Sequence, residues 1–102
     1  MVTVGRLVAV LVVLAAASCS RAEHVIIMHA MTYEPETMTV EAGDLVVWRN
    51  DDVNPHTAVA PGRFDSGQVP PQGTFRVTLT KTGELPYTCT LHPAMKGKLI
   101  VK

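Results

Sequence analysis

At 102 residues the chain has room for a single domain, which excludes a multi-domain enzyme. Nine basic residues balance nine acidic ones, so it lacks the basic excess of a nucleic-acid-binding module. Hydrophobic residues make up 47% and charged residues 18%, a globular rather than disordered balance, and 7 Gly and 7 Pro among many Val and Thr favour short strands and turns.

The N-terminal segment stands apart. Met1 to Arg6 carries a positive charge at Arg6, and Leu7 to Ala17 is an unbroken apolar run. The run is shorter than the roughly 20 residues a bilayer-spanning helix needs. A charged start, a short apolar stretch and then small residues describe an export signal over residues 1–22. Two processing schemes are open. Ser20-Arg21-Ala22 is a small-x-small site that would release a domain of residues 23–102. Ala16-Ala17-Ser18-Cys19 resembles a bacterial lipoprotein box, in which Cys19 would be lipidated and hold the protein at a membrane. Arg6 stands alone, which argues against a twin-arginine signal. The expected location is the periplasm or the extracytoplasmic face of a bacterial membrane.

From His24 onward no stretch carries apolar residues at helical spacing, and the pattern is all-β. His24 to Met31 reads as a first strand ended by Pro35, and Thr37 to Val40 as a second. Leu45 to Asn50 is a strong strand around Trp48. Asp51 to Pro55 is a polar loop with an Asn-Pro turn, and His56 to Ala60 reads as a short strand. Pro61 to Gly73 is a Gly- and Pro-rich loop. Thr74 to Thr80 alternates, with Phe75, Val77 and Leu79 on one face. Lys81 to Glu84 is a turn, Leu85 to Thr90 a strand ending at Cys89, Leu91 to Gly97 a tight loop, and Lys98 to Lys102 a closing strand. This spacing predicts an antiparallel Greek-key β-sandwich.

Within residues 23–102 the acids number 9 and the bases 7, and Cys89 is the only cysteine. No disulfide can form inside that segment, so a lone thiol in an oxidising compartment needs another purpose. Cys89-Thr90-Leu91-His92-Pro93-Ala94-Met95 supplies one. A thiolate, an imidazole and a thioether follow one another with two residues between each, which suits a strand-end loop folded around a point. A thioether is a poor zinc ligand and an acceptable copper ligand, and a thiolate with imidazoles suits a trigonal copper site. The second imidazole must come from elsewhere, and His56 follows the Asn54-Pro55 turn. The expected metal set is therefore His56, Cys89, His92 and Met95 around one copper ion cycling between Cu(I) and Cu(II). His24 and His29 read as surface or strand histidines. A Cys89–His92 nucleophile pair is disfavoured, since no oxyanion motif or orienting Asn or Asp accompanies it.

These segments resemble the small blue-copper proteins, the cupredoxins, and within them the amicyanin and plastocyanin-like group. Met31-Thr32-Tyr33-Glu34-Pro35, Val40-Glu41-Ala42-Gly43-Asp44 and Val47-Trp48-Arg49-Asn50 are similar to the family's first strands. Asn54-Pro55-His56 is similar to its first ligand turn, and Tyr87 to Gly97 to its ligand loop. The two-residue gap between His92 and Met95 is similar to amicyanin. Two positions depart from that pattern. Thr57 stands where amicyanins commonly have an Asn that ties the two ligand segments together, and Leu91 stands where they often have Pro.

The resemblance implies an electron shuttle rather than an enzyme: a monomer passing single electrons between a protein donor and a protein acceptor. Docking is expected near the His92 edge, through an apolar patch including Pro55, Leu91, Pro93 and Ala94. Storage or delivery of copper is the alternative. A rigid sandwich holding a buried-type ligand such as Cys89 suits retention, and the chain has no Met-rich or His-rich tract that would suit delivery. Four histidines are too few for a multicopper oxidase.

Overall fold

The computed structural model describes residues 21–102; the apolar run, Cys19 with its lipidation, and Ser20 of the Ser20-Arg21-Ala22 processing site lie outside that range. Nine strands follow in order: β1 (Glu23–His29), β2 (Thr32–Glu34), β3 (Thr37–Val40), β4 (Leu45–Asn50), β5 (Val59–Ala60), β6 (Phe64–Asp65), β7 (Thr74–Thr78), β8 (Gly83–Thr88) and β9 (Lys96–Val101). They form two sheets, one in the order β2-β1-β4-β7 and the other β3-β9-β8-β5-β6. Among the described residues there is no helix.

Side-chain alternation builds the core. Ile26 and Met28 of β1 face inward with Val46 and Trp48 of β4, and Leu85 and Tyr87 of β8 meet them with Leu99 and Val101 of β9. Trp48 is fully buried and packs against Phe64, Phe75 and Tyr87, with ring centroids 5.1, 5.6 and 5.4 Å away. Truncating a ring so placed typically costs about 3–5 kcal/mol.

The sandwich is mixed rather than purely antiparallel. β1 runs parallel to β4, and β3 runs parallel to β9. Each parallel pair joins strands that are not adjacent in the chain, so no local turn signal announces it. Two further strands depart from the sequence reading. β2 follows a turn in which Ala30 and Met31 both have positive φ, 51° and 61°. Neither residue is a Gly, Asn or Asp, so the sequence reads straight through the turn. β6 forms a short hairpin with β5. His56 lies before β5 and is joined to Val69 by an isolated bridge.

The register places the chemistry. The last β8–β9 pair is Thr88 with Lys96, which leaves residues 89–95 as the loop at that end. The β1–β4 register ends at Met28 with Asn50, so the 30–31 turn and the segment after Asn50 lie at the end where those strands finish. Val59 pairs with Thr88, which brings residues 56–58 beside Cys89.

Candidate metal centre

Cys89 extends the inward parity of β8: Leu85, Tyr87 and Cys89 are each buried, at every second position. The thiol therefore enters the end of the core rather than solvent. The loop behind it closes on itself. Cys89 N–H donates to the Met95 carbonyl at 3.0 Å, and Met95 N–H donates to the His92 carbonyl at 2.8 Å. Met95 is buried, while His92 is half-buried between exposed Leu91 and Pro93.

His56 arrives from the other side. Asn50, fully buried at the end of β4, shapes the loop that carries it. The Asn50 amide donates to the carbonyls of Asn54 (2.8 Å) and Val69 (3.0 Å), and its Oδ1 accepts the Asp52 N–H at 2.9 Å. His56 then exchanges backbone hydrogen bonds with Val69, at 3.2 and 2.7 Å. Its ring is completely buried. Nε2 lies 2.7 Å from Asp52 Oδ2, and Nδ1 lies 3.9 Å from Cys89 Sγ. An ionised carboxylate only accepts, so Nε2 carries the proton and the Nδ1 lone pair faces the sulfur. The His92 ring stands edge-on to that of His56, with centroids 5.2 Å apart.

The sulfur's surroundings favour a thiolate. Burial pushes the Cys89 thiol up, but the Thr57 N–H, 3.3 Å from Sγ, together with the Leu91 and His92 amides, holds it below its ordinary value. Asp52 behaves similarly. Burial raises its carboxyl, and the hydrogen bonds from His56 and from the Met31 and Ala30 amides outweigh that and keep it below the usual carboxylate range.

The structure thus brings His56 beside Cys89 and His92, and Met95 into the same closed loop. It keeps His24 away, 2.8 Å from Asp44. His29 is exposed, with Nδ1 3.8 Å from Asp52, and is separated from His56 by that carboxylate. Among the described residues no three His, Cys, Asp or Glu side chains close into a compact cage. The donors instead comprise one low-pKa thiol, one imidazole nitrogen already aimed at it, a second imidazole at ring contact and a buried thioether. That soft, mixed set fits copper and is poor for zinc or a hard cation.

Sequence reasoning missed three supports of this centre. One is Asp52, four residues before His56 on a curved loop. The second is Asn50, read only as a strand end. The third is Thr90, the partner through which Thr57 makes the tie between the two ligand segments: Thr57 Oγ1 accepts the Thr90 N–H at 2.8 Å and lies 3.0 Å from Thr90 Oγ1. Of the three, Asp52 left a trace in the sequence, as an acid near a candidate ligand.

A two-sheet sandwich with a soft N and S donor set gathered at one end defines a small copper-binding β-protein. The chain belongs to the cupredoxin-like family, whose domain model matches residues 4–101. Amicyanin of Paracoccus versutus is 32% identical over 78 residues, which cover 71% of this chain and 59% of that protein. Chloroplastic plastocyanin of Tetradesmus obliquus is 32% identical over 91 residues, covering 72% and 60%. The match thus spans less than two thirds of either relative. Among solved structures, an amicyanin variant in its Cu(I) form superposes with a TM-score of 0.73 at 29% identity, covering 85% of this chain and 88% of that one. A copper-containing nitrite reductase from Thermus scotoductus SA-01 superposes with a TM-score of 0.74 at 28% identity, but only 22% of its chain is covered. Copper is the cofactor that belongs to this family and this donor set.

Proposed function

We propose that this protein is a one-electron carrier with a single copper ion held by His56, Cys89, His92 and Met95, and that it is not an enzyme. The observation that carries the reading is the approach of His56 Nδ1 to a Cys89 sulfur already tuned toward thiolate, at the buried end of a rigid sandwich. When bound, copper supplies the Cu(I)/Cu(II) couple. The protein's part is to keep the donors still. His56 is anchored by Val69 and Asp52, and the Cys89–Met95 loop is closed by its own backbone hydrogen bonds. Ligands that move little between oxidation states lower the cost of each electron transfer. The nitrite reductase likeness lends no enzyme activity, because it covers a small part of that larger chain.

Partners of this reading are a redox protein donor and a redox protein acceptor, docking around His92. Met31, Val53 and Leu91 are exposed large hydrophobics, and all belong to the segments that build the centre. Pro55, Pro93 and Ala94 are exposed beside them. Such a surface suits brief contacts with several partners. The protein acts outside the cytoplasm, exported by the segment before Glu23; mass spectrometry of the cell-derived product decides between a chain starting at Glu23 and one lipidated at Cys19.

The test of carriage is copper retention with reversible voltammetry. The reduced protein is expected to lose Cu(I) slowly to a modest chelator and to give a reversible one-electron wave. Complete loss within seconds to minutes would favour copper delivery instead.

A further inference from the structure

Asp52 makes more contacts than a loop acid needs. Oδ2 takes the His56 Nε2–H at 2.7 Å and the Met31 N–H at 3.2 Å, while Oδ1 takes the Ala30 N–H at 2.8 Å. The two amides belong to the turn whose residues both have positive φ. A non-glycine residue in that region costs about 1–2 kcal/mol, so the turn needs support from elsewhere. One carboxylate thus pins the β1–β2 turn and, through it, the imidazole that faces Cys89. No other side chain among the described residues bonds to the His56 ring except Cys89 itself.

We propose that Asp52 is a positioning residue of the copper centre: it fixes the His56 tautomer with Nδ1 free, orients the ring toward Cys89, and biases the centre toward Cu(II) by its charge. The proposal rests on the copper reading above. Its physical basis is general. A carboxylate on the far nitrogen of a ligand imidazole sets the tautomer and strengthens the donor, and removing such a partner typically lowers metal affinity by about 10–100-fold. A negative charge next to the ligand favours the more positive ion, so Cu(II) should lose more than Cu(I). Asn in place of Asp52 cannot reproduce the contacts. One of its two terminal atoms is an NH2, which faces either the His56 Nε2–H or the Ala30 N–H, and both are donors.

The experiment has a metal-free arm and a copper arm. In the metal-free wild type, nitrogen-15 NMR of the His56 ring is expected to show the proton on Nε2; a proton on Nδ1 overturns the proposal without reference to copper. In the copper arm, Asp52→Asn is expected to bind Cu(II) at least tenfold more weakly with Cu(I) affinity nearly kept. That raises the potential by about 59 mV per tenfold. Asp52→Glu, which restores a carboxylate, is expected to return the potential most of the way to wild type. An Asp52→Asn protein that is folded by NMR yet has wild-type Cu(II) affinity and potential overturns the proposal. Should Asp52→Asn fail to fold, Asp52→Glu and the wild-type tautomer decide it: loss of the Asp52→Glu potential to a value unlike wild type counts against positioning. A wild type that takes up no copper sinks the copper reading itself, whereas a blue wild type with an indifferent Asp52→Asn sinks only the role of Asp52.

Discussion

Thr57 Oγ1 accepts the Thr90 N–H at 2.8 Å, across 33 residues of chain, and ties the segment carrying His56 to the segment carrying Cys89 and His92. The adjacent Thr57 N–H points at Cys89 Sγ. A short hydroxyl thus makes the cross-connection between the two segments. Thr57→Val keeps the volume and removes the acceptor. It is expected to lower the stability of the metal-free protein by about 1 kcal/mol, since Thr90 is exposed and water can take over part of the bond. Thr57→Asn is expected to restore it. Urea denaturation of the three proteins, read at constant slope, checks both values.

Gly97 is fixed by an approach of another kind. A Cβ built at this position would be driven into the ring and hydroxyl of Tyr87, which is itself fully enclosed by Tyr33 and Trp48. Gly97→Ala is expected to cost about 1–3 kcal/mol through overpacking. The urea midpoint should fall with the slope unchanged. A midpoint equal to wild type would mean that the Tyr87 ring has room to withdraw.

In the proposed centre Met95 would supply the weakest donor. Met95→Gln is expected to keep one copper bound, because the thiolate and two imidazoles remain, and to lower the potential, because a harder oxygen favours Cu(II). A tenfold preference gained by Cu(II) corresponds to a drop of about 59 mV. Voltammetry of the variant beside wild type gives the sign directly.

Acid should weaken the fold through Asp44. Its carboxylate accepts from His24 Nε2 at 2.8 Å and from the Glu41 and Ala22 amides, and these bonds, the one from His24 foremost, hold it below the usual carboxylate range. A carboxyl whose folded pKa is depressed contributes stability above its unfolded value, near 4, and that contribution is lost as the pH falls through the lowered folded value. The metal-free protein should therefore lose stability below about pH 4, and Asp44→Asn should flatten that part of the curve. Denaturant titrations at a series of acidic pH values measure both slopes.

The parts of this molecule legible in the sequence are those whose cause is local. The inward parity of Leu85, Tyr87 and Cys89 follows from alternation, and the spacing of Cys89, His92 and Met95 follows from one short loop. β3 and β4 have the bounds that their residues predict. What escapes is set by partners far away in the chain. The parallel pairing of β1 with β4 depends on which non-adjacent strands meet. The Ala30–Met31 turn carries no turn residue and is held by Asp52 from another loop. The role of Asp52 depends in turn on Asn50, which bends the 51–55 segment by hydrogen bonds to Asn54 and Val69.

If Cys89 and His56 share one copper ion, the visible spectrum of the copper-loaded protein will show it. Wild type is expected to take up one Cu(II) and turn intensely blue, the colour that resemblance to the blue-copper proteins implies for a copper–thiolate bond. Cys89→Ser should lose the blue colour altogether. A wild type that stays colourless with Cu(II), or that binds zinc and no copper, would mean that Cys89 and His56 do not form a copper centre.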